Sequence, residues 1–208
     1  MQVVEVLRRC AMVILLHPEW ESEGVRGVLE GDKVEAEFTV VVAESSSAFL
    51  DLYGKAVVGR TVDLETLVDF DRLLNIAGTT FSRIQYLGGL SILISFPDEA
   101  LAEKFLKARD LWGPWFSHLD AWRGQSLLFE RVAWLRLHGI PMHLVDPFVL
   151  RSIGDSFGKV LHVPKDIEDK KDLSVFRVGV LAGESKRIKE MMNLKWKNKI
   201  FRIWVEEE

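Results

Sequence analysis

The stretch RVAWLRLHGIP (131–141) alternates in a way that suggests a binding surface. Successive side chains on a strand face opposite sides. Ala133, Leu135 and Leu137 would therefore point one way, and Trp134, Arg136 and His138 the other. An indole offers a platform on which a base can stack, and a guanidinium pairs with phosphate or stacks on a base. Two later stretches add to the same face. In SVFRVGVL (174–181), Phe176, Val178 and Val180 fall on the apolar side, leaving Val175, Arg177 and Gly179 opposite; in KNKIFRIWV (197–205), Phe201, Ile203 and Val205 go inward and Ile200, Arg202 and Trp204 outward. The predicted face gathers Trp134, Arg136, His138, Arg177, Arg202 and Trp204, with Lys195, Lys197 and Lys199 as a weaker electrostatic fringe. Such a face suits single-stranded RNA or DNA. Tryptophan and arginine also serve well in an interface between domains or proteins, and plain solvation is the third possibility.

Catalytic patterns are scarce. His138 and His143 are separated by Pro141, so they cannot share a helical face as a zinc motif requires. There is no GxGxxG, no GxxxxGK[ST] phosphate loop and no GxSxG elbow. DIEDKKD (166–172) clusters acids, but Lys170 and Lys171 offset them, so a solvated turn is the simpler reading. The expectation is a non-enzymatic protein with no cofactor and no metal.

The elements that must position the face follow from periodicity. KAVVGRTV (55–62) reads as a strand, and DLETLVDFDRLLNIAG (63–78) as a helix capped by Asp63 and ending near Gly78. FSRIQYL (81–87), Gly88-Gly89 and LSILISF (90–96) form a hairpin signal. A second helix capped by Asp98 (97–110) and a strand WFSHLDAW (115–122) complete the order βαββαβ. The order then repeats: strand 131–140, helix 146–158 with Asp146 as cap and Gly158 as stop, strand 159–165, polar turn EDKKD (168–172), strand 173–183, helix SKRIKEMMN (185–193) and a closing strand 197–205. Two such units predict an α+β protein of two tandem ferredoxin-like plaits with antiparallel sheets. Residues 49–122 would form the first, 123–208 the second, and 1–48 an N-terminal extension. The extension is the least legible part. VVEVLRRCAMVILL (3–16) suits a helix or a strand, whereas KVEAEFTVVVA (33–43) alternates as a strand.

A plait keeps both helices on one side of its sheet, leaving the other side open. In the RNA recognition motif, which has this fold, central-strand aromatics on that side stack bases. Aligning LRLHGI (135–140) with the first-strand motif puts Arg136 at such a position. In the first unit the third-strand positions fall to Ser91 and Leu93, which suit a protein contact better than a base. Trp112, Trp115 and Trp122 read as core and turn packing.

Composition sets the outer bounds. The 208 residues are 48% hydrophobic and 28% charged, and no apolar run reaches the roughly 18–20 residues of a membrane span. AMVILL (11–16) is short and lacks a small-residue cleavage pattern, which argues against a secretory signal. The single cysteine, Cys10, excludes an intramolecular disulfide within these residues, and an intracellular setting, nuclear or cytoplasmic, is expected. SKRIK and KNK are too short to count as import signals. The net charge of −4 argues against a general polyanion binder, but it is unevenly placed: residues 1–122 hold 11 basic and 19 acidic residues, residues 123–208 hold 16 and 12.

About residues 50–206 resemble a plant domain family of unknown function, found at the N-terminal end of LINE-type (non-LTR) retrotransposon proteins and among related nucleotide-binding alpha-beta plait proteins. The resemblance runs through VVGRTVDLETL, IQYLGGLSILISFPDEALAEKFL, GPWFSHLDAW and FRVGVL, and is most specific at WLRLHGIP followed by FGKVL. It implies a plait fold and nucleic-acid binding, with no enzymatic role established for this region of the family. Family members often continue into a CCHC zinc knuckle, which one cysteine cannot supply here. The leading expectation is therefore a retrotransposon-derived protein that binds single-stranded RNA or DNA on the open face of the second plait. The alternatives are a protein–protein assembly module, with a protein partner on the first plait, or a degenerate retroelement fragment.

Overall fold

The computed structural model describes residues 40–43, 48–165, 167, 172–183 and 186–208. Most of the N-terminal extension, including VVEVLRRCAMVILL, lies outside the described residues, as do Glu168–Lys171 of the EDKKD turn. Of the strand expected over 33–43 only Val40–Ala43 is described. It forms no strand there, and Val40, Val41 and Val42 are exposed, so their β-branched run finds no strand to pair with among the described residues.

The first unit runs β1 (Ala56–Thr61), α1 (Leu64–Ile76), β2 (Arg83–Gly88), β3 (Ser91–Ser95), α2 (Glu99–Lys107), a short α3 (Arg109–Trp112) and β4 (Phe116–Ala121). Its sheet has the order β2-β3-β1-β4, with every pair antiparallel. Asp63 caps α1 by accepting from the Thr66 amide at 2.7 Å, and Asp98 caps α2 by accepting from the Leu101 amide at 2.8 Å. Each cap satisfies a helix-end N–H and stabilises by about 1 kcal/mol. Leu67, Phe70 and Leu74 of α1, with Ala102 and Phe105 of α2, bury the apolar helix stripes against Val57, Ile92 and Ile94 of the sheet. Trp112 and Trp115 pack against this core, and the Trp112 indole donates to the Leu106 carbonyl at 3.0 Å.

The second unit comprises β5 (Arg131–His138), α4 (Pro147–Asp155), β6 (Lys159–His162), β7 (Val175–Ala182), β8 (Lys189–Trp196) and β9 (Lys199–Glu207). Its sheet order, β6-β7-β5-β9-β8, repeats the plait order over four strands and adds β8 at the edge. The helix expected over SKRIKEMMN is corrected here, because its described part leads into strand β8. The reason lies just downstream. Met192, Leu194 and Trp196 alternate with Asn193 and Lys195, and the two-residue turn Lys197-Asn198 pairs this run antiparallel with β9. Tertiary pairing overrides the helix propensity of Lys, Glu and Met. α4 has the expected Asp146 cap, which accepts from the Phe148 amide at 2.7 Å. A Cβ on Gly158 would meet the Leu181 carbonyl oxygen at 2.2 Å, which is why glycine follows this helix.

The two units touch. Leu181 of β7 joins the core cluster of the first unit, with Leu161 packed beside it. The Gly88-Gly89 turn meets Glu130, the residue preceding β5: a Cβ on Gly89 would lie 2.7 Å from the Glu130 Cβ and 3.3 Å from Leu181 Cδ1. Arg60 of β1 forms an ion pair with Glu130. Among the described residues no helix is long and apolar enough to cross a membrane.

Candidate nucleic-acid interface

Strand register brings most of the predicted residues together. In β5, Ala133, Leu135 and Leu137 are buried in the core beneath α4, so Trp134, Arg136 and His138 stand on the opposite face. Directly paired residues share a face. Trp134 lies opposite Gly179, Arg136 opposite Arg177 and Glu206, and His138 opposite Trp204. Across the β9–β8 pair, Arg202 stands opposite Asn193, Trp204 opposite Met191, and Ile200 opposite Lys195. Trp134, Arg136, His138, Arg177, Lys195, Arg202 and Trp204 thus share one face. Lys199 does not: it stands opposite Trp196 on the helix side, and Lys197 occupies the hairpin turn.

The aromatic positions are partly covered. Gly179 leaves room for the Trp134 ring: a Cβ there would lie 3.3 Å from the indole and 3.2 Å from the His162 Cβ. The rings of Trp134 and His162 meet edge to face at 5.4 Å. Trp204 donates its indole N–H to Glu206 at 3.3 Å, and the Lys189 ammonium sits 6.0 Å from its ring centroid. Both tryptophans are half-buried.

Sequence reasoning missed the carboxylates on this face. Glu206 Oε1 lies 3.2 Å from His138 Nε2 and 3.4 Å from Arg136 Nη1. Glu208 Oε1 lies 2.7 Å from Arg177 Nε and 3.9 Å from Arg136 Nε. The Trp204 N–H bond, together with His138 and Arg136, holds the Glu206 carboxyl below its usual range, so it is charged at neutral pH. The signal was present in the sequence, because the alternation Arg202, Trp204 continues to Glu206 and Glu208. Lys189, Met191 and Asn193 were missed for a different reason, the reading of their segment as helix.

The charge on the face is asymmetric. Arg136 and Arg177 are engaged by the two glutamates, whereas Arg202, Lys189 and Lys195 have no ion-pair partner among the described residues. On β8–β9 the three cations Arg202, Lys189 and Lys195 stand with one carboxylate, Glu206 opposite Lys189, which leaves a cationic strip on a chain whose net charge is −4.

The corresponding face of the first unit is closed by its own chain. Ala56, Val58 and Leu93 are buried there under Leu52 and Trp122. Leu93, one of the two positions aligned with base-stacking aromatics, is therefore unavailable for stacking. Among the described residues no group of three or more His, Cys, Asp or Glu is placed to hold a metal ion. No protein-family model matches the chain, and no curated protein matches it.

Proposed function

We propose that the second unit binds single-stranded RNA or DNA, without catalysis, on the face of β7, β5, β9 and β8 that lies opposite α4. One observation carries this reading: strand register lines up Arg202, Lys189 and Lys195, all without ion-pair partners among the described residues, along the same β8–β9 face as the half-exposed indole of Trp204. The strand backbone would follow this cationic strip, and a base would lie against Trp204 or Trp134. The likeness of WLRLHGIP and FGKVL to retrotransposon-associated plaits supports the same reading, and with it a retroelement origin. Arg136 and Arg177 contribute once phosphate replaces their glutamate partners.

The test is fluorescence anisotropy of a labelled mixed-sequence single strand, titrated with the full chain at several salt concentrations. Three to five phosphate contacts predict a slope of log K against log[salt] of about −2 to −3.5. The Arg136→Ala/Arg177→Ala/Arg202→Ala variant should flatten that slope by about 2. A protein partner is the second reading, favoured by the glutamates that already neutralise Arg136 and Arg177 and by the burial of Leu181 at one end of the face. Absence of salt-sensitive binding, even at low salt, would leave that reading in place of the first.

A further inference from the structure

The loss of the second helix in the second unit has a consequence on the sheet's other side. In the first unit α2 lies over β1 and β4. Their counterparts, β5 and β9, sit in a five-stranded sheet whose apolar side has the nine-residue α4 as its only α-helix among the described residues, with the single 3-10 turn Met142–Leu144 beside it. What remains is a groove of about 270 Å³ between α4 and β8, lined by Leu144, Phe148 and Val149 on one side and Met192, Leu194 and Trp196 on the other. It is open. Phe148 is 75% exposed and Trp196 38%. Its volume falls just below the roughly 300–1,000 Å³ of typical small-molecule sites, so it suits a few anchoring side chains better than a bound metabolite.

The rim is cationic. Lys195 borders the groove, the Lys197 ammonium lies 4.2 Å from the Trp196 ring centroid, and Lys199 stands opposite Trp196 in the hairpin. None of the three has an ion-pair partner among the described residues. Apolar floor, apolar wall and lysine rim together define a complementary shape: a helix with an apolar stripe and carboxylates along one flank.

We propose that this groove docks an amphipathic helix of a partner protein, with apolar residues at i, i+3/i+4 and i+7 and Asp or Glu facing Lys195, Lys197 and Lys199. The helix takes the place of the plait's missing one. This site lies on the opposite side of the sheet from the proposed nucleic-acid face; Lys195, at the edge strand, borders both, whereas Lys197, Lys199 and the apolar lining belong to the groove alone.

The test uses the full chain and two labelled helical peptides with the same leucine stripe, one with a glutamate-rich polar face and one with a lysine-rich face, read by anisotropy. The glutamate peptide should bind about tenfold or more tightly than the lysine peptide, the gain of one or two ion pairs over an equal apolar anchor. Lys195→Glu/Lys197→Glu/Lys199→Glu should reverse that order. Phe148→Ser, at a surface position, should weaken the glutamate peptide about tenfold without lowering Tm. Equal affinity for both peptides, or no reversal in the triple variant, overturns the proposal by showing an unspecific apolar patch. Absence of binding by the full chain overturns it as well, as does self-association in sedimentation that Phe148→Ser abolishes, which would assign the groove to a second copy.

Discussion

Glu206 and Glu208 stand where a phosphate would have to go. Each lies within 4 Å of a guanidinium on the proposed binding face, and Glu206 also takes the Trp204 indole N–H. A nucleic-acid strand must therefore displace or share these contacts, and the two carboxylates subtract from affinity. Pairs this open to solvent are screened and individually weak. Glu206→Gln/Glu208→Gln keeps the side-chain shape and removes both charges, so single-strand affinity should rise about two- to thirtyfold. A filter-binding comparison with the wild-type chain at matched salt measures it. Unchanged affinity would mean that the strand avoids Arg136 and Arg177 and follows only the β8–β9 strip. The residue-level site was largely legible, because alternation along three strands placed Trp134, Arg136, His138, Arg177, Arg202 and Trp204 correctly on one face. The glutamates are not legible in the same way, because a run of acids at 206–208 has the composition of a solvated surface.

At the scale of elements, β8 shows how a sequence can carry two patterns at once. Ile188, Met191 and Met192 fit helical spacing, while Met192, Leu194 and Trp196 fit a strand; the hairpin with β9 decides between them. A tie at the other end of the strand helps hold it. Arg131 of β5 donates from Nε and Nη2 to the two Glu207 oxygens, both at 2.8 Å, and the Ile188 amide donates to the same carboxylate at 3.0 Å. Arg131 also donates to the Gly183 and Lys186 carbonyls on the approach to β8. The Arg131 hydrogen bonds hold the Glu207 carboxyl below its usual 4.5. The sign follows from linkage. A depressed native pKa gives stability that is fully present above about pH 4.5 and is lost as pH falls through the lower native value. Glu207→Gln should lower unfolding free energy by about 1.5–3 kcal/mol at pH 7, the usual range for hydrogen bonds to a charged group. Its Tm deficit against wild type should shrink as both are titrated below pH 4.5. A deficit that stays constant down to pH 3 would place the loss in packing and not in charge.

The two plaits differ in how far their open sheet faces are covered, and the contact between them sets how independently they unfold. Leu52 and Trp122 close the open face of the first sheet, whereas much of the second sheet's face remains accessible. At the β6–β7 end of that face, Leu181 turns into the first unit's core at 7% exposure, and the side-chain-free Gly88-Gly89 turn lets the backbone approach Glu130. This joint was not readable from sequence, because Leu181 sits in a strand whose alternation marks it only as facing away from its own helix. Its partners come from about ninety residues earlier in the chain. An apolar contact of this kind couples the units thermodynamically, since opening it exposes a leucine and leaves Arg60 and Glu130 to water. Leu181→Asp forces a carboxylate into that joint and should cost about 2–5 kcal/mol there, comparable to deleting a buried leucine. The wild-type chain should unfold in one calorimetric transition and the variant in two, with a larger radius of gyration by small-angle scattering before either. Nucleic-acid affinity should hold within about threefold, because Arg202, Lys189, Lys195 and Trp204 lie on β8 and β9, away from the joint. A single transition in the variant would show that the joint is not what couples the two sheets, while a large loss of binding would make the first unit part of the nucleic-acid site.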